Sequence, residues 1–302
     1  MPDSKPFCIN CVSGDVLPGE PRGSLARIGP FDTYVAQPAE RAPNSEGVAI
    51  VYFVDAFGLQ LKNNKILPDM IADGTGLPVY VPDLFHGDGV AADAFKSAPQ
   101  TAREAAAQSF LQKASASLKM ATVAPWFIKH RPGTVVQPIT EFLEELRSGK
   151  GLKKLGAVGY CYGGKPALAF NTKGMIEVTV ACHPSFVDAK TDVAPLKGPT
   201  LFNCAEDDFI FGAALREACK KTLADRTDAP VHEFILYDNT VHGFAARPKL
   251  SEPTVKEAFE KSTDRTIQWF KTHLLAGSGA TGTAVPAAEA QPSAEAPATL
   301  SV

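Results

Sequence analysis

Short apolar runs rich in β-branched residues alternate along the chain with stretches whose apolar positions recur every three to four residues. That alternation is the signature of strands followed by helices. Val48 to Val54 predicts a buried strand, and a helical region follows around Leu61 to Ala72, in which Pro68 requires a kink or a new first turn. Val79 to Val81 predicts a second strand, ending at Pro82-Asp83. Ala102 to Leu118 is Ala-rich and reads as one helix, while Val135 to Leu146 carries Ile139, Phe142, Leu143 and Leu146 at helical spacing. Further strands are expected over Leu155–Val158, Ile176–Cys182, Thr200–Cys204 and Val231–Tyr237, and helices over Gly164–Phe170, Ala213–Leu223 and Ser251–Leu275. This order predicts an α/β fold: a mostly parallel sheet with helices on both faces, in which functional groups collect where strands end and loops begin.

The length of 302 residues admits one or two domains. The pattern stops near Gly277, after which Ala, Pro, Ser, Thr, Gly and Glu dominate and too little apolar surface remains to offset the entropy of ordering. Residues 1–276 are therefore read as a single α/β domain and 277–302 as a disordered tail. With 45% hydrophobic and 21% charged residues, the chain has ample material for one core.

A formal charge of −3, with lysines and arginines scattered along the chain, gives no footprint for nucleic acid. The N-terminus lacks the charged-then-apolar order of a secretory signal. No apolar run reaches the roughly 18 residues of a membrane span. The expectation is a cytoplasmic protein that engages neither nucleic acid nor membrane, as a monomer or homodimer. Its six cysteines are then free thiols. Cys182 and Cys204 close strand-like runs and read as buried. Cys8 and Cys11 form a lone CxxC; with no second pair to complete a metal site, no metal or cofactor is expected.

Gly159-Tyr160-Cys161-Tyr162-Gly163 carries the chemistry. The run from Leu155 to Gly164 reads as strand, tight turn and helix start, the cysteine form of the nucleophile elbow, in which flanking glycines admit a turn that a Cβ would obstruct. A helix N-terminus behind Cys161 favours the thiolate, and the Tyr162 N–H can face a developing oxyanion. The same two glycines would also suit plain packing of a helix on a strand, with Cys161 as a small apolar filler. Chain order bears on the choice, because the α/β-hydrolase arrangement places nucleophile, acid and histidine in that sequence. Downstream of Cys161, one strand runs into Asp207-Asp208 and the next into His242-Gly243-Phe244. Of the adjacent aspartates one can face His242, and the other can cap the helix near Gly212; Asp208 is preferred. His183 also follows a strand and is the rival base. Trp126 and Phe127, in an expected loop from Val123 to Pro132, either contact substrate or pack.

These residues resemble the dienelactone hydrolase family, and the longer pattern its fungal branch, over roughly residues 8 to 275. The resemblance runs through Cys8-Ile9-Asn10-Cys11, Val54-Asp55-Ala56-Phe57-Gly58, Pro82-Asp83-Leu84-Phe85, the Cys161 elbow, His183-Pro184-Ser185 and His242-Gly243-Phe244. It implies an α/β-hydrolase fold and a Cys161–Asp208–His242 triad that cleaves a small-molecule ester or lactone through a thioester acyl-enzyme. It further implies an oxyanion hole from the Ala56 and Tyr162 N–H groups. Asp55, where the bacterial pattern has glutamate, becomes the acid that contacts the resting thiol. Arg247 falls near the position of an arginine that holds a substrate carboxylate, and His183 is a second candidate for substrate contact. Two other readings stand beside this one: a polyketide ester or thioester hydrolase of secondary metabolism, and a binding or stress-response protein that keeps the fold without turnover.

Overall fold

In the computed structural model the described residues are 14–275, apart from 92–93 and 95–97; residues 113–120 are described in backbone alone. The Cys8–Cys11 pair and the tail from Gly277 lie outside the described residues. Eight strands, β1 Ser24–Ile28, β2 Phe31–Ala36, β3 Val48–Phe53, β4 Val79–Pro82, β5 Lys154–Tyr160, β6 Val178–Cys182, β7 Thr200–Asp207 and β8 His232–Val241, form one sheet in the order β1-β2-β4-β3-β5-β6-β7-β8. From β4 to β8 every pairing is parallel, and β2 and β1 add an antiparallel edge. The helices are α1 Asn63–Thr75, α2 Ala102–Ala107, α3 Phe110–Lys129, α4 Val136–Ser148, α5 Gly164–Thr172, α6 Ala213–Ala224 and α7 Pro253–Phe270.

The central strands are buried along their length, as β3 is at every residue, because helices cover both faces. At Gly156 of β5 a Cβ would meet Phe270 of α7 and Leu274, whereas at Gly159, three positions on, it would run into the start of α5. Side chains alternate along a strand, so α7 and α5 cover opposite faces.

The chain leaves β3 for β4 on one side, then crosses to β5 on the other, so the strand order reverses between β3 and β5. Loops diverge at such a point and open a crevice above the strand ends. Register fixes what meets there: Phe53 pairs with Gly159, Tyr160 with Cys182, and Cys182 with Asn203. Asp55, Cys161 and His183 consequently emerge along a single edge.

Two expectations are corrected. The helix expected over Ala102–Leu118 divides at Gln108-Ser109, where Ser109 and Gln112 form a capping box that starts α3. Val123 to Lys129, expected as loop, is the end of α3, with Pro125 inside it. Pro68 starts no new helix, and α1 continues through it. The edge strands β1 and β2 have no counterpart in the hydropathy reading. Among the described residues no helix is long and apolar enough to cross a membrane.

Candidate active site

The elbow begins where β5 ends. Cys161 adopts φ 50°, a left-handed backbone that costs a non-glycine residue about 1–3 kcal/mol, and a single 3₁₀ turn over Cys161–Gly163 leads into α5. A Cβ at Gly163 would overlap the carbonyl oxygen of Phe53, and one at Gly159 would overlap that of Gly163. The two glycines thus let the turn close directly on β3, and the sulfur is carried above the sheet edge.

Asp208 and His242 arrive from the next strand ends. His242 Nδ1 lies 2.9 and 3.0 Å from the two carboxylate oxygens of Asp208. Asp208 Oδ1 also accepts the N–H groups of Ile210 and Phe211, at 2.8 and 2.9 Å. Asp207 is exposed and ends β7, in register with Val241. Burial opposes ionisation of Asp208, but the His242 charge and hydrogen bond, with the two amides, outweigh it and bring its pKa down to about 2. Burial likewise opposes the imidazolium, yet Asp208 and the Cys161 sulfur hold His242 up at about 10. At Cys161 burial favours the neutral thiol; the charge and hydrogen bond of His242, helped by Ser185, prevail and lower its pKa below the ordinary thiol value. Each group thus favours the charged form of the other, thiolate beside imidazolium.

Sequence reasoning did not single out Ser185. Its hydroxyl stands 3.4 Å from Cys161 Sγ and 3.5 Å from His242 Nε2. His183, two residues earlier, is fully buried and packs edge-on against His242 at 5.0 Å between ring centroids. Among the described residues neither of its ring nitrogens has a hydrogen-bond partner, and burial together with the His242 charge keeps its pKa well below the usual value. It is a neutral ring under His242, away from the open surface of the site.

Asp55 lies just past β3 and is buried. It accepts from Asn64 Nδ2 at 2.8 Å and from the Phe57 N–H at 3.1 Å, and Arg247 Nε lies 3.6 Å from its other oxygen. The Arg247 guanidinium also stacks over the Phe57 ring at 4.1 Å. Burial raises the Asp55 pKa against the pull of Arg247, Asn64 and the Phe57 amide. Ala56 follows in the same turn, and Tyr162 follows Cys161 at the foot of α5, so both backbones border the crevice.

Aromatic side chains wall the rest. The buried Tyr162 ring meets Phe85 edge-on at 5.0 Å and Phe186 at 6.0 Å, with Trp126 packed on Phe85 at 4.8 Å and Phe127 near Phe186 at 5.9 Å. Trp126 and Phe127 are thus part of one aromatic cluster behind the elbow. Phe186 is 43% and Phe209 75% exposed, and the Phe209 ring lies 6.1 Å from His242. Among the described residues no group of three or more His, Cys, Asp or Glu side chains is placed to hold a metal ion.

The chain is similar to known proteins over most of its length. Residues 31–274 match the dienelactone hydrolase family. Hydrolase pyvD of Aspergillus violaceofuscus is 28% identical over 264 residues, covering 87% of this chain and 96% of the relative. Dienlactone hydrolase 1 of Gibberella moniliformis is 28% identical over 271 residues, covering 88% and 94%. Among solved structures, a dienelactone hydrolase from Anabaena variabilis superposes with a TM-score of 0.53 at 13% identity, over 83% of this chain and 97% of the other. The last likeness concerns the fold, an α/β-hydrolase.

Proposed function

The chain belongs to the dienelactone hydrolase family, whose members act on ester or lactone bonds, and we propose that it does so through a Cys161–His242–Asp208 triad and a thioester intermediate. One observation carries the reading: the Cys161 sulfur, a buried, amide-anchored Asp208 carboxylate and the histidine that carboxylate holds follow in chain order just past the ends of β5, β7 and β8 of one sheet.

In this mechanism the Cys161 thiolate adds to the substrate carbonyl, and the Ala56 and Tyr162 N–H groups receive the charge that develops on oxygen. Collapse breaks the C–O bond, and the departing oxygen takes the proton from His242. Asp208 keeps Nδ1 protonated throughout, so that Nε2 does the exchange. Water then attacks the thioester with His242 as base, which releases the acid and restores the sulfur. A thiolate is a weak base and a strong nucleophile, suited to activated esters such as enol lactones whose leaving group is itself stabilised. Arg247, whose Nε lies 3.6 Å from Asp55, is the cation that would meet a substrate carboxylate.

Turnover of dienelactone and of p-nitrophenyl acetate by the wild type, Cys161→Ala and His242→Ala tests the reading. Rates in both variants should fall at least about 10³-fold. Equal rates in all three, above the buffer blank, would refute it.

A further inference from the structure

We propose that Ser185 is a positioning residue of this site: its hydroxyl donates to the Cys161 thiolate while accepting from the His242 imidazolium, and so holds the charged pair together. The observation is a triangle. Ser185 Oγ lies 3.4 Å from Sγ and 3.5 Å from Nε2, and the residue is only 3% exposed, so water does not compete freely for the hydroxyl.

A serine hydroxyl has one hydrogen and two lone pairs. With sulfur charged and imidazole protonated, O–H points to S⁻ and Nε2–H points to Oγ. In the neutral pair the same atoms reverse: S–H donates to Oγ and O–H donates to Nε2. The group satisfies either state by turning its proton, but it stabilises the charged one more, because hydrogen bonds to ions are stronger than those between neutral groups.

The local backbone is arranged around this hydroxyl. The Ser185 N–H donates to the Cys161 carbonyl at 2.9 Å, which ties the turn to the elbow, and the His183 N–H donates to Asn203 at 2.7 Å. His183 and Phe186, on either side, both take left-handed conformations, at φ 36° and 61°. Two non-glycine residues in that region within four positions are costly and persist where surrounding structure enforces them. A Cβ at Gly164 would overlap Pro184, so the turn is also seated against the start of α5.

The charged groups near the sulfur come from three other elements: His242, backed by Asp208, from the turn after β8; Asp55 from the turn after β3; and Arg247 from beyond His242. His183, beneath His242, is neutral. Asp55 opposes the thiolate, so a donor at Ser185 counters a carboxylate that the site retains.

The inference rests on the reading of Cys161 as nucleophile, but its test follows the sulfur without substrate, so the two fail separately. Thiolate absorbance near 240 nm and the rate of iodoacetamide alkylation are measured against pH for the wild type, Ser185→Ala and Ser185→Thr, with Cys161→Ala as the baseline for the other cysteines. Ser185→Ala should move the thiolate midpoint up by roughly one pH unit, and Ser185→Thr, which keeps a hydroxyl, should stay near the wild type. An unshifted midpoint in folded Ser185→Ala overturns the proposal, as does a threonine variant that shifts as far as alanine. Should the alanine variant not fold, Ser185→Gly removes the hydroxyl without adding to the turn and is judged by the same midpoint.

Discussion

Asp208 presents both carboxylate oxygens to His242 Nδ1 while its Oδ1 is also held by the N–H groups of Ile210 and Phe211. A carboxylate fixed from two directions cannot turn away from the ring, so it dictates both the tautomer and the orientation of His242. Asp208→Asn puts an amide with only one acceptor atom in its place and should lower kcat/KM by about 10³ to 10⁴ while leaving KM comparatively unchanged. The stability sign also follows. Asp208 titrates at about 2 in the folded protein and near the ordinary carboxylate value when unfolded, so its contribution is present above about pH 4 and is lost as pH falls through about 2. Urea unfolding at pH 7 and pH 3 should show the gap between wild type and Asp208→Asn narrowing at the lower pH.

The thiolate–imidazolium pair predicts an unusual alkylation profile. The Cys161 pKa is lowered and that of His242 is raised to about 10, so the sulfur stays charged as pH falls below the range where a free thiol protonates. Between pH 8.5 and 6.5 the iodoacetamide rate at Cys161 should fall less steeply than the roughly fiftyfold slowing of an ordinary thiol. His242→Gln should restore the steep dependence.

Gly163→Ala tests the elbow. Its Cβ would overlap the Phe53 carbonyl oxygen, a backbone atom that cannot swing aside, so the turn must move off β3. Urea denaturation should register a loss of about 1–3 kcal/mol, and activity should fall by more than that loss explains, because the sulfur moves with the turn.

Phe209 is 75% exposed beside His242 and contributes little to the core. Phe209→Ala should leave stability within about 0.5 kcal/mol while raising KM for esters with flat, unsaturated acyl groups several-fold. An unchanged KM across aromatic and short aliphatic p-nitrophenyl esters would remove Phe209 from the binding surface.

Much of this was legible in the sequence. The parallel strands are apolar runs because helices cover both faces, and the elbow is recognisable because only glycine fits against Phe53 and Gly163. The edge strands were not legible: four of the five residues of β1 are exposed, so no burial pattern marks it. The break between α2 and α3 had a readable signal in Ser109 and Gln112, masked by the surrounding alanine-rich run. Asp55 has its two oxygens engaged by Asn64, Phe57 and Arg247, a three-way arrangement that chain spacing cannot convey. Ser185 is functional in position only because a left-handed turn after β6 brings it between two residues of other strands, and no local pattern encodes that meeting.

The central claim is an acyl group carried on Cys161. The most direct measurement is intact-protein and peptide mass spectrometry after rapid acid quench with p-nitrophenyl acetate. The account predicts an acetyl adduct on the peptide containing Cys161, labile to hydroxylamine, absent from Cys161→Ala and accumulating when deacylation is slowed in His242→Ala at raised pH. Turnover with no such adduct under any quench, or an adduct confined to another residue, would contradict it.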